Sequence, residues 1–252
     1  MADADEPWLR TDIGWSDPEH ITVAGRDLPS EVMGRLTLTE LAFLLITGEE
    51  ATAAQRRMLD AVLVSLADHG FTPSALATRL TYTGAPESVQ GAVAAGLLGG
   101  GSVFLGVVED TVRFLDEAGD DVDGAVAREI ESGRRVPGLG HPVHKVSDPR
   151  TPRIYTISEE TGLKGPYLER LERVAAAHAE QTGKQLPING AGVAGAALAD
   201  LGFPVPLLRG FALLARTAGL LGHLAEEMQS PIGMRLYREV DERAKYVPPT
   251  GE

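Results

Sequence analysis

Apolar residues recur every three to four positions through most of the chain, the spacing that puts them on one buried face of a helix. Thr37 and Glu40 have the spacing of a capping box ahead of the apolar run at 41–46, and Gly48 supplies the stop. Thr52 heads a second helix whose Leu59, Val62, Leu63 and Leu66 share a face; the pair His69-Gly70 closes it. Pro73 opens a third at the tolerated first-turn position. An Ala/Leu/Gly stretch over 86–108 predicts a largely buried helix, interrupted at Gly99-Gly100-Gly101, and 116–123 reads as an acidic connection. Amphipathic helices are predicted over 125–132 and 166–182, and a long one over 206–228. Strict alternation, the mark of a half-buried strand, is almost absent, so the pattern predicts an all-α chain. No repeat at a solenoid period interrupts it. The one long irregular segment, 134–151, is rich in Pro, Gly, His and cations, and long loops in compact domains are commonly functional.

Composition narrows the classes. A chain of 252 residues can hold one domain or two and bury a sizeable core. Abundant glycine (29 residues) and scarce aromatics (5%) suit closely packed helices better than a β-sandwich. The net charge of −13 argues against a nucleic-acid partner. With no cysteine, disulfides, thiolate metal sites and a cysteine nucleophile are excluded. No uninterrupted apolar run reaches the roughly 18–20 residues of a membrane span, and the acidic start MADADEPWLR lacks a signal-peptide core. A cytoplasmic protein without a membrane partner is expected.

Candidate chemistry gathers in a few places. Gly99-Gly100-Gly101 lacks the preceding strand and the Lys-Ser/Thr ending of a phosphate loop, so close helix contact accounts for it better. His141 stands in VPGLGHPVHKVSDPR, where residues 134–153 hold five cations against the single acid Asp148. Such a loop in an acidic protein suits a phosphorylated or polycarboxylate ligand, or is a solvated basic loop. His69 sits at a helix end, where capping of carbonyls is the simpler role. Arg216 lies among Leu213, Leu214, Ala218 and Leu220, and needs either a structural carboxylate or a bound anion. His223 reads as structural; His20, His144 and His178 carry no spacing signal. No zinc-protease pair and no G-x-S-x-G elbow is present, and no metal site is expected.

PGLGHPVHKVSDPR resembles the active-site loop of the citrate synthase family, G-x-G-H-x-V-x-K-x-x-D-P-R. Other segments follow in the family's order: ADHGFTPSALATR, AAGLLGGGSVFLGVVED, PINGAGVAGAALADLGFP and ARTAGLLGHLAEE. The ending GMRLYREVDERAKYVPP is similar to the citryl-CoA lyase branch, which includes a domain of ATP-citrate lyase, and the short N-terminus fits the same branch. The resemblance spans roughly residues 30–248.

It implies a citrate synthase fold with a large helical domain (1–110 and 206–252) and a small one (111–205) that closes over the substrate. It implies catalytic roles for His141, at the reacting oxygen, and for His69, which with Arg216 would bind substrate carboxylates. Arg150, or Arg153 by the lyase pattern, would bind a further carboxylate. The backbone of Val136, Pro137, Gly138, Leu139 and Gly140, together with Lys145, would face coenzyme A, which enters as part of the substrate and not as a cofactor. A homodimer is implied, with the helix at 88–108 as its interface. Two family residues are missing on this alignment: Gly99 stands in place of a histidine and Ala191 in place of the acid–base aspartate. The implied activity is cleavage of citryl-CoA, or a related acyl-CoA, to acetyl-CoA and oxaloacetate. The alternatives are another acyl-CoA lyase or thioester hydrolase, or a non-catalytic acyl-CoA-binding relative.

Overall fold

The computed structural model describes residues 10–249; residues 1–9, most of the acidic start, and 250–252 lie outside the described residues. The described chain is helical, with one small antiparallel sheet near its beginning. In that sheet β1 (Gly14–Ser16) pairs with β2 (Ile21–Val23), and β2 with β3 (Arg26–Asp27). Eleven α-helices follow: α1 (Leu38–Thr47), α2 (Ala53–Ala67), α3 (Pro73–Gly84), α4 (Val89–Gly100), α5 (Val107–Ala118), α6 (Val122–Glu131), α7 (Arg150–Thr161), α8 (Pro166–Thr182), α9 (Gly190–Asp200), α10 (Leu208–Gln229) and α11 (Gly233–Arg243).

Local chemistry sets several boundaries as expected. The Thr37–Glu40 box heads α1 and Gly48, at φ 76°, ends it; Thr52 and Gln55 form a second box on α2. The stretch at 86–108 differs. Ser88, not Pro86, caps α4, and Gly101 at φ 46° breaks the helix before a π turn (Gly101–Leu105) leads into α5. α4 is glycine-rich because it lies close to α3: a Cβ on Gly96 would overlap Thr78 Oγ1, and one on Gly99 would meet Ala77 Cβ at 3.2 Å. The acidic connection is shorter than expected, since α5 runs to Ala118 and α6 begins at Val122.

α7, α9 and α11 were not legible from periodicity. α9 is buried almost all round, so no polar face reveals it, and α11 buries only Gly233. Strands of two or three residues are too short for alternation to register.

One contiguous apolar core joins α2 (Met58, Leu59, Val62), α5 (Val108, Val112, Leu115), α8 (Leu168, Leu171, Val174), α9 (Val193, Leu198) and α10 (Leu208, Phe211). α5 packs on α9 and α6 on α8, while α10 lies across α2, α3 and α4. By length and composition the helical stretches Val89–Ala118 and Val205–Gln229 reach what a membrane crossing needs, with mean hydropathy 1.8 and 1.3. That corrects the expectation drawn from uninterrupted runs. The first stretch is broken at Gly101, and both contribute side chains to the core.

Candidate active site

The loop between α6 and α7 is held by the segment that precedes α9. Gly140 N donates to Pro187 O (2.8 Å), Asn189 N to Gly138 O (2.9 Å) and Asn189 Nδ2 to Gly140 O (3.0 Å), around a Leu139–Ile188 bridge. Gly138 at φ 83° allows that path, and the approach is so close that a Cβ on Gly192 would lie 2.6 Å from Gly138 Cα. Val136 and Leu139 are buried in the core. Within the stretch from Val136 to Gly140, Gly138 O and both backbone groups of Gly140 bond to the segment before α9. Lys145 is exposed.

Asp148 is the fixed point of the loop. Its side chain is fully buried, and it accepts from Arg150 N (3.1 Å), Nε (2.9 Å) and Nη2 (2.7 Å) and from Gly190 N at the start of α9 (2.8 Å). Burial raises a carboxyl pKa, but the Arg150 hydrogen bonds and charge, with the two backbone N–H groups, outweigh it and hold Asp148 down at about 2. Arg150 is thereby pinned beside the helix terminus, where a Cβ on Gly190 would overlap its guanidinium.

Three histidines meet next to this pair. His141 and His144 stack with ring centroids 4.5 Å apart, and His69 from the loop after α2 lies 5.2 Å from His141 and 5.5 Å from His144. His141 Nδ1 accepts from the backbone N–H groups of Val143 (3.1 Å) and His144 (3.0 Å). Its proton in the neutral form therefore sits on Nε2, which becomes a pure donor. Burial lowers the His141 pKa; Asp148 opposes that, while His144, Arg150 and His69 add to it, so the neutral donor form is favoured near pH 7. Ligand nitrogens of the three histidines lie within 4.8 Å of one another, close enough to suggest a metal site. The donor set does not fit one. A ligating histidine donates its second ring N–H to a carbonyl or carboxylate, whereas the second nitrogen of His141 is itself an acceptor.

Arg216, on α10, is 7% exposed, and its Nε and Nη1 are buried without a hydrogen-bond partner. Asp68 Oδ1 is 3.9 Å from Nη1, beyond hydrogen-bond reach, and is taken by His223 Nε2 at 2.9 Å. Burial lowers the Arg216 pKa, with Arg150 adding to the effect and Asp68 opposing it. Orphaned buried N–H donors call for an explanation, and an arriving carboxylate supplies one. Arg216→Met is expected to leave the melting temperature unchanged or raise it, since a poorly paired buried charge is removed. Citrate binding by calorimetry should weaken by roughly 10–100-fold. A lower melting temperature with unchanged citrate affinity would instead make Arg216 a structural partner of Asp68.

The remaining candidates fall elsewhere. Arg153 is exposed and pairs with Glu160 at 3.6 Å. His223 is structural as expected, linking Asp68 to the buried Arg79, whose other partners are Glu226 and Glu227. Sequence reasoning missed His144 and the buried role of Asp148. His144 has no spacing signal of its own, and its place in the cluster shows only once the rings are brought together. A cavity of about 660 Å³ lies between the sheet and the end of α1, and its lining holds Asp12 but no cation. Convergent chemistry, not volume, marks the histidine cluster.

Residues 18–239 match the family model for the citrate synthase C-terminal domain. The chain belongs to the citrate synthase family. Within that family it is 33% identical to the citryl-CoA lyase of Hydrogenobacter thermophilus, with a TM-score of 0.86 and 97% of each chain covered. An ATP citrate lyase from Methanothrix soehngenii, solved with citrate and coenzyme A, shares the fold at 23% identity and a TM-score of 0.82, over 97% of this chain and 42% of that one. The citrate synthase of Haloferax volcanii is 30% identical over 216 residues, 82% of this chain and 54% of the relative. The chain spans about half the length of the curated relatives it matches (45%, 51% and 54% for three of them).

Proposed function

We propose that this family member cleaves citryl-CoA, or a closely related acyl-CoA, to acetyl-CoA and oxaloacetate by retro-Claisen chemistry. The observations that carry the reading are one fixed neutral donor, His141 Nε2–H, and a buried guanidinium, Arg216, whose Nε and Nη1 lack hydrogen-bond partners; Arg150 acts electrostatically on both. The donor would polarise the oxygen that becomes the oxaloacetate carbonyl, and Arg216, Arg150 and His69 would hold carboxylates. Coenzyme A would lie along the 134–151 loop with Lys145 as its exposed charged contact. An ATP citrate lyase from Methanosaeta concilii, carrying an aspartate-to-alanine substitution, was solved with (3S)-citryl-CoA, which supports a site of this kind on the shared fold.

A thioester hydrolase or a non-catalytic acyl-CoA binder is the second reading, favoured by position 191. Ala191 lies in the first turn of α9, and neither neighbouring acid of the loop or helix is free to replace the family aspartate: Asp148 is locked to Arg150, and Asp200 lies roughly 13 Å along the helix, bonded to the N–H groups that open α8. Purified protein incubated with citryl-CoA separates the readings. Oxaloacetate, followed by coupled malate dehydrogenase, supports the lyase. Free thiol without oxaloacetate means hydrolysis, and bound acyl-CoA with neither product means a binder.

The proposed assembly is a homodimer in the cytoplasm, with residues 111–205 as the closing domain. α4 and the turn after it leave Leu98 (81% exposed), Val103 (75%) and Phe104 (47%) on the surface, an apolar strip of the kind a helix-to-helix interface covers. Gel filtration with light scattering should give about twice the chain mass of 26.7 kDa. A single-chain mass at micromolar concentration would refute the dimer.

A further inference from the structure

The proposed cleavage must move one proton, from the hydroxyl on the carbon that becomes the oxaloacetate carbonyl to the methylene carbon that becomes the acetyl methyl. His141 cannot accept it, because Nδ1 already accepts two backbone N–H groups and Nε2 carries the hydrogen. Asp148 cannot, since its lone pairs are taken by Arg150 and Gly190 and its carboxyl is held at about 2. Position 191 has no titratable atom. Two groups of the cluster remain, His69 and His144.

The stacking distinguishes them. His144 lies 26° from parallel to His141 at 4.5 Å, so its ring edge runs beside the ring that donates to the reacting oxygen. His69 is tilted and farther away, and its chain neighbour Asp68 faces Arg216 at 3.9 Å, which puts it at the carboxylate end of the site. Among the described residues no side chain or backbone group hydrogen-bonds to the His144 imidazole, so both its lone pair and its N–H are available, while its backbone N–H fixes His141. The titratable and charged groups that face His144 across the cluster are His69, His141 and the mutually paired Asp148 and Arg150.

Resting on the lyase reading above, we propose that His144 is the acid–base group of the cleavage. Neutral His144 takes the hydroxyl proton; the freed O–H pair becomes the second bond of the new carbonyl. The carbon–carbon bond breaks, and its pair passes to the methylene carbon and into the thioester carbonyl. The His144 imidazolium then returns the proton to that carbon, giving the acetyl methyl and regenerating neutral His144. Nothing else is consumed, and His141 stays a donor throughout. The role that the family gives to an aspartate on α9 moves here to a histidine on the loop.

The test uses the full chain with citryl-CoA, measuring oxaloacetate release across pH for wild type, His144→Asn and His144→Ala. Expected for His144→Asn is a fall in kcat of about 10²–10⁴-fold with KM within about threefold. The acid limb of the kcat–pH profile, which reports the base losing its proton, should vanish, and free imidazole in the buffer should restore part of the rate to His144→Ala. If kcat survives within about threefold, or falls while the acid limb persists and imidazole does not help, His144 is not the acid–base group. Should His144→Asn fail to fold, His144→Gln decides by the same readouts. Wild type that releases no oxaloacetate refutes the lyase reading itself, whereas an active wild type with an equally active variant refutes only the role of His144.

Discussion

Replacing His141 with alanine is expected to reduce oxaloacetate release from citryl-CoA by about 10²–10³-fold, the usual effect of removing one donor aimed at developing charge. The loss should fall on kcat, because the bond to the substrate oxygen strengthens as negative charge grows there, while Arg150, Arg216 and His69 still hold the carboxylates. The imidazole also accepts the Val143 and His144 N–H groups, so alanine releases the turn that shapes the ring stack. His141→Gln, which restores a donor amide, should recover part of the rate. Equal losses in citryl-CoA affinity and in turnover would show that His141 binds the substrate without distinguishing the transition state. The coupled malate dehydrogenase assay at saturating and limiting citryl-CoA reads both quantities.

Asp148→Ala should give the largest change in stability. It removes the carboxylate partner of Arg150, whose side chain is 20% exposed and keeps Ser65 O at 3.4 Å, and leaves Gly190 N–H unsatisfied at the start of α9. Breaking a buried pair from one side costs about 3–5 kcal/mol, which for a chain of this size is a melting temperature lower by about 10 °C. The pH dependence has a definite sign. The native pKa of about 2 lies below the ordinary 3.8, so the stabilisation from this carboxylate is complete above about pH 4 and is lost as the pH falls toward 2. Wild type should lose about 2 kcal/mol from this group over that interval, and Asp148→Ala should not. Chemical denaturation at pH 6 and at pH 2.5 measures the difference. A gap between the two proteins that stays constant with pH would show that Asp148 acts by packing alone.

The legible part of this protein was local. Thr37 with Glu40, Thr52 and Pro73 mark helix starts because capping and proline geometry act within four residues. His141 was legible through its loop motif, since glycines at 138 and 140 must take positive φ to carry the chain past the segment at 187–189. α9 was not, because a helix buried on every side has no polar face, and its glycines at 190, 192 and 195 serve contacts with Arg150, Gly138 and Val108. Nor was the metal question: three histidines spaced over 75 positions give no spacing signal, and only the hydrogen bonds to His141 Nδ1 show which nitrogen carries the proton.

The sequence by itself determined the all-α class, the starts of α1, α2, α3 and α8, the cationic loop and, by resemblance, the family. These depend on side-chain periodicity and short-range hydrogen bonds, which neighbouring residues carry with them wherever the chain goes. Tertiary structure decided which charges are satisfied. Asp148 takes Arg150, Asp68 takes His223, and Arg216 is left with buried N–H groups unmet. It also decided that His144, silent in the sequence, lies flat against His141. Pairing and proton position depend on distances between residues far apart in the chain, and those distances exist only after the helices have packed.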